Sequence, residues 1–344
     1  MSSTPSLPPE LLFQIFETFA TVARKLDLPT GHYQLILTLC LVSKHFRDIA
    51  QPLLHVRIHL RKQSSALKLL ASQALGLHRV EELDLTGNVG ARVDGLTAVT
   101  ATAVVQAAGR LGLKNLKLGR FKRLSSTVVE LAGAGKGIPS NCWFMSFLIS
   151  ELSDLESLDL QTNFNNDNPP PRWSFPFRLL RLGVHGWVYS LAFMSALLAS
   201  STSITSLEYT STTLFNVFSL PEFPSFARQI TSLVIQTESE VTPGSFSNFS
   251  AVTHLTTNCS IIWTIKELLE AFPVEAATIT HWTLPLTFHF FESEVVRDEW
   301  ETLNDLKQLG ALEVITFKSI GSKYSHLVPK IRVRGREVRM EFEG

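Results

Sequence analysis

Five short stretches decide the fold: LESLDL (155–160), LLRLGV (179–184), ITSLEY (204–209), ITSLVI (230–235) and VTHLTT (252–257). Each is cut to one pattern, an apolar residue, two free positions, Leu, one free position and a residue that is apolar in four of the five. Alternate residues of a strand point to opposite faces, so the Leu and the residue two beyond it share a buried face. The pattern extends upstream to Val80-x-x-Leu83-x-Leu85 and Leu113-x-x-Leu116-x-Leu118. Downstream it is read as Ala276-x-x-Ile279-x-His281 and Leu312-x-x-Ile315-x-Phe317. Successive starts are then 33, 42, 24, 25, 26, 22, 24 and 36 residues apart.

Five consecutive steps fall in the ~20–29 residue period of leucine-rich repeats, and Asn88 and Asn163 stand where that repeat carries Asn. The segments 143–152, 189–200, 264–272 and 298–309 have helical spacing between the strands. Strand and helix alternating at a near-fixed period predict an α/β fold, a curved solenoid with a parallel sheet, over 56–344. His55–Leu60, alternating at Val56, Ile58 and Leu60, reads as its opening strand. KIRVRGREVRMEFEG (330–344) reads as a closing hairpin.

The free positions beside each central Leu point outward, onto the concave face where solenoids bind partners. They place Glu82, Asp84, Lys117, Asp159, Gln161 and Arg181 on that face. They continue with His185, Glu208, Gln236, His254, Asn258 and Trp282. Hydroxyl and amide side chains dominate the later units, which suits recognition of a protein surface by shape and hydrogen bonding. The loop NFNNDNPPPRWSFPF (163–177) is stiffened by three prolines and reads either as covering the edge of the stack or as reaching a partner.

Composition agrees with a packed protein: 45% of the 344 residues are hydrophobic and 18% charged. Lys and Arg number 31, as do Asp and Glu, so the formal charge is +0, against a nucleic-acid binder and in favour of a chain whose apolar surface is covered by a partner. Cys40, Cys142 and Cys259 are far apart and form no C-x-x-C, which fits a reducing compartment. With no signal peptide and no membrane-spanning run, the expectation is an intracellular protein, cytoplasmic or nuclear, without membrane contact. The sequons at Asn248 and Asn258 are then chance matches.

Catalytic patterns are missing. GAGKG (133–137) lacks the rest of a phosphate-binding loop, and neither G-x-S-x-G nor H-E-x-x-H occurs. His254 and Cys259 lack the further ligands of a zinc site. The expectation is a chain that is not an enzyme and that holds no metal or cofactor.

The first fifty residues are different. SLPPELLFQIFETFA (6–20) opens with a cap, prolines and Glu10, then a broad apolar stripe at Leu11, Leu12, Ile15, Phe16 and Phe19. A loop follows near 23–31, then a helix from about His32 to Val42, and a third carrying Phe46, Ile49 and Leu53. Leu7-Pro8, Glu10-Leu11-Leu12, Ile15-Phe16, Leu39-x-Leu41-Val42-Ser43-Lys44, Phe46-Arg47 and Pro52-Leu53-Leu54 resemble the F-box motif step by step. Phe46 stands where many members have Trp, and 21–34 is longer than in the shortest versions.

Together with the repeats, the chain resembles an F-box protein with degenerate leucine-rich repeats of the fungal type. The resemblance implies an F-box helical domain over 1–55. It implies docking on the adaptor subunit of an SCF-type cullin–RING ubiquitin ligase, and through it a cullin. The contacts it implies are Leu7, Pro8, Leu11, Leu12, Ile15, Leu39, Val42 and Lys44. Phe16, Phe46 and Ile49 are expected in the core of the helices. The solenoid would then capture a protein substrate. The alternative is a repeat scaffold of another class, with these helices as its N-terminal cap.

Overall fold

A computed structural model describes residues 7–25, 31–72, 74–86, 95–119, 152–160, 175, 177–185, 191–211, 220–237, 244–259, 270–272, 278–285, 310–318, 332–333 and 336–343. The helices expected at 143–151, 264–269 and 298–309, the loop 163–174, GAGKG and Gln161 lie outside these. The chain is α/β and divides into two compact units, one of residues 1–117 and 121–148 and one of residues 118–120 and 149–344.

The first unit begins with three helices, α1 (Pro9–Lys25), α2 (Gly31–Val42) and α3 (Lys44–Ala50). The Ser43 hydroxyl caps α3 by accepting from the Phe46 N–H at 3.1 Å, satisfying a donor the helix leaves orphaned. Pro52 then sits in the first turn of a 3₁₀ helix, Gln51–Leu54, where its missing N–H costs nothing. Strand β1 (Arg57–His59) follows, then α4 (Gln63–Ala71), α5 (Ala74–Leu77), β2 (Glu82–Leu85), α6 (Ala98–Gly109) and β3 (Asn115–Leu118). β1 and β2 pair in parallel, with Ile58 opposite Leu83. The repeat frame thus starts at His55 and not at Val56, which packs against the helical core instead.

The second unit is a row of parallel strands. These are β4 (Ser157–Leu160), β5 (Arg181–His185), β6 (Ser206–Ser211), β7 (Ser232–Thr237), β8 (His254–Cys259), β9 (His281–Pro285) and β10 (Val314–Lys318). Of its connections, α7 (Leu191–Ser200) matches the expected helix, whereas α8 (Phe223–Ala227) is short and Gly244–Asn248 is a run of turns. Gly244 has φ +79°, left-handed backbone that a glycine adopts without strain. Phe223 and Phe226 of α8 pack with Phe246, Phe249 and Phe272 in a buried aromatic layer, with ring centroids 5.1–6.2 Å apart.

One hydrogen-bonding device recurs at the start of β2, β3 and β5 to β10. A single carbonyl accepts two successive N–H groups of the next repeat. Glu156 O accepts from Leu180 and Arg181, Leu180 O from Thr205 and Ser206, and Thr205 O from Thr231 and Ser232. Thr231 O accepts from Thr253 and His254, Thr253 O from Thr280 and His281, and Thr280 O from Glu313 and Val314. Val56 O and Glu81 O do the same in the first unit. A carbonyl has two lone pairs, so the turn into each of these strands gives both N–H groups a partner.

The register corrects the reading of the sequence at one unit. Leu158, Leu182, Leu207, Leu233, Leu255, Trp282 and Ile315 form one inward column, each opposite the next. The eighth repeat is therefore Ile279-x-x-Trp282-x-Leu284, three residues later than expected, and Trp282, placed on the outward face by the sequence, is 0% exposed. Its indole Nε1 donates to Thr257 Oγ1 at 3.1 Å. Thr257 fills a position where the preceding repeats carry Ile235 and Tyr209, and its buried hydroxyl oxygen accepts the indole N–H.

The C-terminus departs in part from a simple hairpin. β11 (Arg332–Val333) and β12 (Arg336–Glu337) are antiparallel. β13 (Arg339–Glu343) leaves them and pairs in parallel with β10, covering its edge.

Replacing Trp282 with Ala is expected to cost about 3–5 kcal/mol, the range for emptying an aromatic site in a packed core. Thr257→Val, which leaves the indole N–H buried and unpaired, should cost about 1–3 kcal/mol. Urea unfolding of the two variants checks both, with the smaller loss for Thr257→Val.

Candidate functional site

Two surfaces carry the predicted site residues. On the N-terminal helices, residues four apart sort α1 into two stripes. Leu12 and Phe16 are 8% and 4% exposed and join Ile36, Cys40, Ala50 and Leu53 in one core. Phe46 meets Phe16 edge-on at 5.2 Å, and Ile49 packs on the same core, as expected for both. The other stripe, Leu11, Ile15 and Phe19, is 45%, 39% and 57% exposed. α2 repeats the arrangement, with Ile36 and Cys40 buried but Leu37, Leu41 and Val42 exposed.

Of the eight contacts implied by the resemblance, Leu7, Pro8, Leu11, Ile15, Val42 and Lys44 are exposed. Leu12 is not: it lies inward of Leu11 on the helix and belongs to the core. Leu39 is half-buried and packed on that core, so little of it faces out. The Arg47 guanidinium donates from Nε to Cys40 O at 3.2 Å, joining α3 to the end of α2. Burial raises the Cys40 thiol pKa, with the Arg47 charge opposing.

The second surface is the outward side of the strands. In the first unit, the Arg57 guanidinium meets Glu82 at 3.1 Å and His59 Nδ1 meets Asp84 Oδ2 at 2.9 Å, each across the β1–β2 pair. Asp84 is buried, and its carboxylate accepts from His59 and from the Thr86 N–H and hydroxyl. Burial alone would raise its pKa, but those hydrogen bonds favour the charged form and the net is a fall to about 2. Asp84 is thus a structural carboxylate under His59, and the expectation that it meets a substrate is corrected. Lys117 is half-buried on the same side.

In the second unit, Asp159, Arg181, His185 and Glu208 come together around Gly183. Arg181 pairs with Glu208 at 2.5 Å, and His185 Nε2 lies 3.2 Å from Asp159 and 3.9 Å from Glu208. A Cβ at Gly183 would sit 3.2 Å from both Asp159 Cγ and His185 Nε2, so the missing side chain is what lets the two converge across the strand. Gln236 and His254 are exposed farther along, while the Asn258 side chain lies outside the described residues.

The sequence reading placed His281 on the inward side. The register turns it out, opposite His254, where the two imidazoles stack at 4.5 Å and 9°. The signal was present: VTHLTT (252–257) and ITHWTL (279–284) align residue for residue, but the Leu-centred frame passes over Trp282. Among the described residues, no group of three or more His, Cys, Asp or Glu is placed to hold a metal ion, and no helix is long and apolar enough to cross a membrane. Comparison with protein-family models finds no match, and comparison with curated proteins finds none.

Because the Asp84 pKa is depressed, its stabilising share is present above about pH 4, the unfolded value, and is lost as pH falls toward about 2. Asp84→Asn is expected to cost on the order of 2 kcal/mol at neutral pH and to flatten the acid limb of the stability–pH curve between those values. Chemical denaturation at a series of pH values measures this.

Proposed function

We propose that the chain is a substrate-recognition adaptor of an SCF-type cullin–RING ubiquitin ligase. In this reading the three N-terminal helices dock on the ligase's adaptor subunit, and the outward face of the repeat strands holds a protein substrate. The chain performs no chemistry of its own. It supplies proximity, converting a bimolecular encounter into a held one.

The observation that carries the reading is the division of α1 and α2 into separate stripes. The helices have a core of their own in Leu12, Phe16, Ile36, Cys40, Ala50 and Leu53. Leu11, Ile15, Leu41 and Val42 are not needed for it, and at 39–81% exposure they leave apolar area in water. Clustered exposed apolar residues favour burial against another protein. The positions left exposed include Leu7, Pro8, Leu11, Ile15 and Val42, which the F-box resemblance assigns to the adaptor. For the substrate, the mixture of paired charges near Gly183 and uncharged Ser, Thr and Gln beyond favours a folded surface read by hydrogen bonds.

Binding of the full chain to the purified adaptor subunit tests the reading. Ile15→Asp and Val42→Asp should each weaken binding by about 2 kcal/mol or more, roughly thirtyfold, since they bury a charge at an interface anchor. Both positions are exposed, so circular dichroism and the thermal midpoint should stay close to wild type. A wild-type chain that does not bind, or variants that bind as wild type does, would refute the adaptor reading.

A further inference from the structure

We propose that His254 and His281 form a two-imidazole site for a borderline divalent cation, zinc foremost, with water filling the remaining positions. The pair lies on the outward side of β8 and β9, directly opposite in register, with the rings 4.5 Å apart and 9° from parallel.

Both rings are held in the same tautomer by the same device. Thr253 Oγ1 donates its only proton to Thr231 O at 3.1 Å and lies 2.9 Å from His254 Nδ1. Thr280 Oγ1 donates to Thr253 O at 3.2 Å and lies 2.9 Å from His281 Nδ1. A hydroxyl whose proton is committed can only accept from its second neighbour. Each Nδ1 therefore carries the hydrogen, and each Nε2 keeps its lone pair. Metal-binding histidines are prepared in this way, with the other ring nitrogen donating to an oxygen that fixes tautomer and orientation.

The pair has uncharged neighbours in the sheet. In the same outward row the neighbours are Ser232 on β7 and Val314 on β10, neither of them charged. His59 lies on Asp84 and His185 on Asp159, whereas neither His254 nor His281 makes an ion pair with a described residue. Burial lowers the His254 pKa, and the neighbouring His281 lowers it further.

Binding requires the stack to open. Two nitrogens on a tetrahedral zinc, each about 2.0–2.1 Å from the metal, are about 3.3 Å apart. In rings 4.5 Å apart and 9° from parallel the two in-plane Nε2 lone pairs run side by side, so both imidazoles must rotate out of the stack for the nitrogens to converge on one ion. Two protein ligands leave positions open, so the site would hold the metal loosely and exchangeably, or share it with a group from a bound partner.

Calorimetric titration of the tag-free full chain with zinc chloride tests the proposal, and it does not depend on the ligase reading. One equivalent per chain is expected, together with a rise in thermal midpoint on adding zinc. His254→Ala and His281→Ala should each weaken binding by about tenfold or more, and Thr280→Val by about 10- to 100-fold through the lost tautomer control. His78→Ala, which breaks the other stacked pair, His55 and His78, should bind as wild type does. The proposal is overturned by the absence of saturable binding, by His254→Ala and His281→Ala variants that bind zinc unchanged, or by loss of binding in His78→Ala. The zinc-dependent rise in midpoint gives a second readout for any variant that folds less well.

Discussion

The structure depends on the carbonyl shared between repeats at the start of eight of its strands. Where the chain turns into a repeat, two successive N–H groups aim at the same side, and an isolated turn would leave one without a partner. The preceding repeat supplies one carbonyl that takes both. From Glu156 to Thr280 the same exchange joins repeat to repeat. In three consecutive repeats a threonine adds its hydroxyl to the same acceptor: Thr231 on Thr205 O, Thr253 on Thr231 O and Thr280 on Thr253 O. This fixes the strand register by backbone chemistry and leaves side chains free to vary.

Fixed register converts a one-dimensional spacing into columns. Inward columns must be filled, and they accept Leu, Ile or Trp as the space requires. Trp282 in place of Leu brings a polar N–H into the core, and Thr257 in the neighbouring repeat answers it. Outward columns are under no such demand, and there the chain places its charged pairs, the Gly183 gap and the two stacked histidines. The threonines that serve the backbone also orient His254 and His281, so the ladder that builds the sheet prepares the imidazoles at its surface.

The N-terminal helices follow a different logic. A helix has a face toward its neighbours and a face away from them, and the second is usually polar. Here the outward stripes of α1 and α2 carry Leu11, Ile15, Leu41 and Val42. The zero net charge of the chain belongs with this. Weak intermolecular repulsion combined with exposed apolar stripes is tolerable for a protein whose stripes are covered in a complex.

Spacing alone made the parallel strand repeats legible, because a Leu every 22 to 26 residues with alternating neighbours has few other solutions. The core roles of Phe16 and Phe46 and the outward placing of Arg181, His185, Glu208 and His254 followed from the same local rules. Three things did not. Leu11 and Leu12 are identical as residues, and only packing against Ile36 and Cys40 decides which turns inward. Asp84 reads as a surface acid until His59 covers it from the adjacent strand. The repeat at Ile279 was misplaced because Trp stands where Leu was sought, and with it went the pairing of His281 with His254. Sequence determined the period, since hydrophobic alternation is a local property. Tertiary structure decided the partners, since a side chain's neighbour across a sheet is set by hydrogen-bond register between residues 27 positions apart in the chain.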